Sequence, residues 1–127
     1  MKIFKPLFTF ALLFLLSSGI MAQAALKRGN KQYELYAFGP AIESYKEVLS
    51  KNSSHLEANS KIADSYRHLN ELDKALPHYQ AAVADDAVED IYRFQYGLTL
   101  QGLGRYDLAK SVFENLANRS EPYKIRA

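Results

Sequence analysis

The chain has 127 residues, 48% of them apolar, with 16 Lys and Arg against 14 Asp and Glu, nine Tyr, seven Phe and no Cys. The length excludes multidomain machinery, the apolar content excludes disorder, and the lack of Cys excludes disulfides, thiolate metal sites and a lipid-modified cysteine. Lys2 and Lys5 account for the whole cationic excess, so from Ala25 onward the charges balance, and nucleic acid is excluded as the main partner because it needs a concentrated basic surface.

The amino end has the form of an export signal. Lys2 and Lys5 precede the apolar run Leu7 to Leu16, which Ser17, Ser18 and Gly19 interrupt, and Ala22-Gln23-Ala24 fits the small-x-small cleavage pattern. The run is about half the ~20 residues a helix needs to cross a bilayer. These features predict a signal peptide over 1–24, cut after Ala24 or, as the neighbouring alternative, after Ala22, leaving no transmembrane segment. An uncleaved amino-terminal anchor is the competing reading.

Beyond it the sequence repeats. Ala41, Ala75 and Ala109 stand 34 residues apart, and four other sets keep the same interval: Gly29, Ala63 and Gly97; Phe38, Leu72 and Tyr106; Tyr45, Tyr79 and Phe113; Val48, Ala82 and Leu116. Each unit holds two apolar runs at helical spacing separated by a turn signal. The small residues let two helices approach within roughly 8–10 Å, and the aromatics fill the adjacent space. The pattern resembles the tetratricopeptide repeat family in both residue classes and period. The resemblance implies an all-α, right-handed solenoid of three helix-turn-helix repeats, about 22–55, 56–89 and 90–122, with 123–127 beginning a further helix or a truncated cap.

The first repeat departs most from the pattern. Arg28 stands where Leu is usual, Gln32 where an aromatic is expected, and Tyr36 at the turn position of Asn70 and Gly104, so its first helix is expected to start late or fray. Ser54 with Glu57 and Asp86 with Glu89 have capping-box spacing, while Asp73 and Asp107 are the expected caps of the second helices. Gly39-Pro40 marks the corresponding start in the first repeat. Pro77 is then expected in a first turn, where amides have no intrahelical partner.

Stacked helix pairs form a concave face from their first helices. The register places Leu26, Lys27, Asn30, Tyr33 and Glu34, then Glu57, Ser60, Lys61, Asp64, Arg67 and His68, then Ile91, Phe94, Gln95, Leu98 and Gln101 on that face. Tyr33, Lys61, Asp64, Arg67, Phe94 and Leu98 are the candidate partner groove, and exchanging Lys61 and Arg67 for Glu is expected to leave folding intact. Phe94 and Leu98 equally suit a role covering the end of the core. Some relatives of this family clamp peptide carboxylates with Lys, Asn and Arg. Here only Asn30 matches that set, because Ser60, Lys61, Ile91 and Gln95 bring the wrong chemistry or order. No catalytic, cofactor or metal constellation is legible. His55, His68 and His78 lack metal-binding spacing and read as solvated, and Gly102-Leu103-Gly104 is an interhelix turn.

The expected function is therefore a non-enzymatic, exported scaffold or adaptor of the periplasm or cell envelope that holds a protein or peptide partner. The order of signal and repeats also resembles the start of OmpA-like envelope proteins of Bacteroidota that serve type IX secretion, which makes a fragment or paralogue of such a protein the alternative. The end near Asn118, with Ser120 to Pro122 reading as a helix start, leads to a further expectation: the chain is a piece of a longer one, or self-associates through an uncovered carboxyl-terminal end.

Overall fold

The computed structural model describes residues 5–119, in six helices: α1 Lys5–Glu34, α2 Phe38–Lys51, α3 Leu56–His68, α4 Leu72–Val83, α5 Asp90–Gly102 and α6 Tyr106–Arg119. There is no strand among the described residues. Each helix packs on the next in sequence, and the first helices also touch, α1 on α3 and α3 on α5. This is an all-α solenoid. The expected helix start at Ser120 to Pro122 and the segment 123–127 lie outside the described residues.

The residues set 34 apart make the same contacts in each unit. Ala41, Ala75 and Ala109 are buried, as are Tyr45 and Tyr79. A Cβ placed on Gly29 would stand 2.8 Å from a Tyr45 ring carbon, and one on Gly97 would collide with the Phe113 ring. In the first and third repeats the aromatic of the second helix thus lies on a glycine of the first, a packing need, whereas in the second repeat Ala63 keeps its Cβ beside Tyr79. The core is a chain of small clusters, one around Tyr45 and Ile62, one around Ala63, Ala75 and Tyr79, and one around Leu76, Leu100 and Ala109. Val112, Phe113 and Leu116, expected to lie uncovered at the carboxyl-terminal end, are half-buried.

The turns within repeats are copies of one another. Tyr36, Asn70 and Gly104 all have positive φ, at 57°, 59° and 75°. After each, a backbone N–H reaches back five residues: Ala37 to the Gln32 carbonyl at 2.9 Å, Glu71 to Tyr66 at 2.9 Å and Arg105 to Leu100 at 2.8 Å. These bonds close each first helix with a left-handed residue. Glycine takes that conformation freely and asparagine readily, whereas a left-handed conformation costs tyrosine about 1–2 kcal/mol.

Several sequence expectations are corrected. The first helix of the first repeat neither starts late nor frays, since α1 runs unbroken for 30 residues. Helix formers around Ala22 to Ala25 carry it through, and the Ser17 and Ser18 hydroxyls bond back to the Phe14 and Leu15 carbonyls at 2.8 and 2.9 Å without breaking it. Arg28 and Gln32, the two departures on that helix, meet a polar partner. The Arg28 Nε donates to Ser44 Oγ at 3.1 Å, and that hydroxyl donates to Gln32 Oε1 at 2.6 Å.

The caps also differ. His55 caps α3, its Nδ1 accepting from the Ala58 amide at 3.2 Å, while Ser54 turns its hydroxyl to Asn52. α5 begins at Asp90 with Glu89 at the cap position, so Asp86 and Glu89 form no capping box. Asp73 and Asp107 lie inside the first turns of α4 and α6, where their charge suits the helix dipole although they are not caps. α2 likewise starts at Phe38, so Gly39 and Pro40 fall just inside it. Pro77 is in the body of α4 rather than its first turn. Its exposed position leaves the carbonyl it deprives of a partner open to water.

Candidate functional site

The first helices bring four of the six groove candidates together. Tyr33 comes from the end of α1, and Lys61, Asp64 and Arg67 from successive turns of α3. The Lys61 ammonium stands 4.9 Å from the Tyr33 ring centre, within cation–π range. Lys61 also faces Glu57 at 3.8 Å, and Glu57 accepts from Asn30 Nδ2 at 2.9 Å.

Asp64 is the hub of this cluster and is buried, its side chain 3% exposed. It accepts from the Tyr33 hydroxyl, from Arg67 Nε at 3.0 Å and Nη2 at 2.7 Å, and from the Tyr79 hydroxyl at 3.4 Å. His68 Nε2 lies 3.3 Å from its other oxygen. A buried carboxylate with this many donors is a structural joint between α1, α3 and α4 and has no free face for a partner. Burial first, and then the neighbouring Asp64 charge, push the Tyr33 and Tyr79 hydroxyls well above the usual phenol range, so both remain donors.

Arg67 is consequently held in place, and the expectation that Lys61 and Arg67 exchange for Glu together without harm to folding is corrected. Lys61 pairs with Glu57 and lies over the Tyr33 ring, with no bond to Asp64 among the described residues. Two of the histidines are corrected too: His78 is half-buried and stacks near Tyr66 at 6.0 Å, and His55 caps a helix. His68 is exposed as expected, and it also stacks on Phe38 with ring centres 4.3 Å apart. Burial, and secondarily Lys46, lower the affinity of His78 for a proton.

Phe94 and Leu98 stand on α5, at 43% and 40% exposure. Phe94 meets Phe113 with ring centres 5.7 Å apart, so it partly closes the core while leaving one edge free. Gln95, between them, approaches the Tyr79 hydroxyl at 3.3 Å. Where α3 meets α5, a cleft of about 670 Å³ is walled by Glu57, Ser60, Lys61 and Tyr92, with Asp85 and Glu89 from the following loop. Tyr92 is the site residue that sequence reasoning missed. Burial and the Asp64 charge push its hydroxyl up to about 12. Its signal lies in position, since Tyr92 follows Ala58 by one repeat, and Ala58 is fully buried against the preceding unit.

With this geometry in view, the class is a tetratricopeptide-type helical solenoid. Residues 92–121 match the tetratricopeptide repeat model. A crystal structure of MamA superposes with a TM-score of 0.73 at 22% identity, over 80% of this chain and 60% of that one. The Arabidopsis OM64 TPR domain superposes with a TM-score of 0.72 at 18% identity, over 84% of this chain and 88% of that domain. The second TPR of Spaghetti (RPAP3), bound to the HSP90 peptide SRMEEVD, gives 0.69 at 21% identity over 76% and 90%. The chain thus spans 60% of the length of the MamA structure. No curated protein matches it.

Proposed function

We propose that the chain is an exported scaffold that holds an extended peptide or a partner helix along the face formed by α1, α3 and α5. The observation that carries this reading is the cleft between α3 and α5, where Lys61, Glu57 and Tyr92 offer a cation, an anion and an aromatic wall within one open groove. Phe94 and Leu98, which do not line that cleft, add exposed apolar surface on α5. Mixed polar and aromatic surfaces of this kind are typical of interface cores with polar rims. Two neighbours of the same fold hold an HSP90 peptide, which supports a peptide-sized occupant. The carboxylate clamp itself is not expected, because of the five first-helix positions only Asn30 carries the required residue.

Peptides selected from a display library on the full chain should lose about tenfold or more in affinity with Lys61→Glu or Tyr92→Ala, and the Lys61 loss should shrink as salt rises. Lys110→Glu on the exposed face of α6 should leave them unaffected. Selected peptides that respond to Lys110 and ignore Lys61 and Tyr92 would place binding on the second helices and reject the groove.

Export rests on Lys2, Lys5, the apolar run and Ala22-Gln23-Ala24, and it favours a partner in the cell envelope. Over Thr9–Glu34 the helix α1 is long and apolar enough to cross a membrane, a test that amino-terminal export signals also pass. Expressed with its own signal, the protein should be recovered beginning at Ala25, or at Gln23 by the neighbouring cut. Intact mass decides this, and recovery of the whole chain in membranes would favour the anchor.

A further inference from the structure

On the side opposite the groove, α4, α5 and α6 enclose a cleft of about 270 Å³. Val83, Tyr96, Leu108 and Val112 make its apolar walls, Ser111 and Asn115 supply hydroxyl and amide groups, and among the described residues Arg93 is its only charged side chain. A small, mostly apolar cleft with a few polar groups is the usual form of a small-molecule site.

The arginine is poorly satisfied. Its side chain is 11% exposed, and its Nε is buried without a hydrogen-bond acceptor among the described residues. One terminal nitrogen reaches the Asp85 and Asp86 carbonyls, both at 3.4 Å, the long limit for such bonds. The facing carboxylate is Asp90, at 3.7 Å from Nε, and Asp90 is shared with Arg119 at 3.9 Å. Two guanidinium groups therefore divide one carboxylate, and the arginine at the cleft retains donors for a second anion. A guanidinium fork fits a carboxylate in two parallel bonds, and a bound carboxylate would give the terminal nitrogens of Arg93 stronger acceptors than the distant Asp85 and Asp86 carbonyls.

The preceding repeat serves as an internal control. One period earlier, Asn59 stands at the place of Arg93 and His78 at the place of Val112. Asn59 is fully used there: its amide nitrogen donates to the Ser53 and His55 carbonyls at 3.0 and 3.2 Å, and its oxygen lies 3.0 Å from His78 Nδ1. In the third repeat the partner side chain has become valine and the amide has become a cation. The same junction that is closed by a polar pair in one unit presents a cation beside apolar walls in the next.

We propose that this cleft binds a small carboxylate bearing a branched apolar tail, with the carboxylate held by Arg93 and the tail by Val83, Leu108 and Val112. The site shares no lining residue with the groove cleft, although Arg93 reaches the carbonyl of Asp85, which walls that cleft. The ligand chemistry is shared by a free carboxylic acid and by a peptide ending in a residue such as leucine, and the test separates them.

Amide resonances of the isotopically labelled full chain are followed during titration with 4-methylpentanoate, with its uncharged amide, and with N-acetyl-alanyl-leucine. The acid should give saturable shifts at Val83, Tyr96, Ser111 and Val112, and the uncharged amide should bind about tenfold more weakly or worse. Arg93→Gln should lose about tenfold in affinity for the acid, with its helical circular dichroism intact. Ser111→Phe, which fills the cleft from its exposed side and leaves Arg93 in place, should also abolish the shifts, and it serves if the arginine variant fails to fold. If the acetylated dipeptide binds more tightly than the free acid, a chain end is the natural source; the reverse order points to a free acid. No saturable shift at these residues, equal binding of acid and uncharged amide, or unchanged binding by the filled variant would overturn the proposal.

Discussion

Arg67→Glu lowers the stability of the folded chain by about 3–5 kcal/mol, whereas Lys61→Gln, two turns away on the same helix, lowers it by less than about 1 kcal/mol. The difference follows from what each cation meets. Arg67 makes two hydrogen bonds to Asp64, and that carboxylate is almost wholly buried. Removing the cation leaves a buried anion with only neutral phenol donors and His68, and installing Glu adds a like charge beside it. Lys61 instead faces the surface carboxylate of Glu57 at 3.8 Å, an ion pair of little net worth. Denaturant titrations of the two variants followed by circular dichroism compare directly. Equal costs would mean that Asp64 is solvated and that the joint between α1, α3 and α4 does not exist.

Ala75→Leu costs about 1–3 kcal/mol by overpacking, while Lys74→Leu changes stability by less than about 0.5 kcal/mol. Ala75 is fully buried in one cluster with Ala63 and Tyr79, so three added carbons must displace an aromatic ring or separate α4 from α3. Lys74 is an exposed first-turn residue that pairs with Glu71 and lies 5.9 Å from the Tyr66 ring, contacts that are weak in water. Thermal or denaturant melts of both variants test the assignment of faces. A comparable loss from each would place the interhelix contact elsewhere on α4.

The helical pairs, the buried alanines and the shared turn at Tyr36, Asn70 and Gly104 were legible in the sequence because they depend on volume and on one backbone conformation, both of which recur at a fixed interval. Helix starts were not. Ser54, Asp86, Asp73 and Asp107 all have good capping chemistry, yet the helices begin where packing of the repeat places them, and His55 takes the cap at α3. The persistence of α1 through its weak residues was missed for a related reason, since Arg28 and Gln32 find their polar partner, Ser44, only once α2 is folded back on α1.

Within the candidate site, Tyr33, Lys61, Asp64 and Arg67 meet on neighbouring first helices, but Asp64 binds Tyr33 and Arg67 into a joint that leaves Lys61 outside it. An aspartate on a helix normally reads as solvated. Its partner stands fifteen residues later in Tyr79, as Asn30 has Tyr45, whose hydroxyl donates to it at 2.7 Å.

That pairing differs from unit to unit. Tyr45 faces Asn30 and Tyr79 faces Asp64, while at the same two positions of the third repeat stand Phe113 and Leu98, neither with a polar side-chain atom. Chains built from near-copies can misregister as they fold, a second helix docking on the first helix of the wrong unit with its small residues and aromatic still fitting. Here such a slip is penalised. Phe113 set against α3 would deprive Asp64 of a hydroxyl donor, and Tyr79 set against α5 would bury its hydroxyl beside Leu98. The first mismatch removes one of several donors from a buried carboxylate and the second leaves a hydroxyl without its carboxylate, so the three aromatics that make the repeats alike in shape also carry the labels that keep them in order.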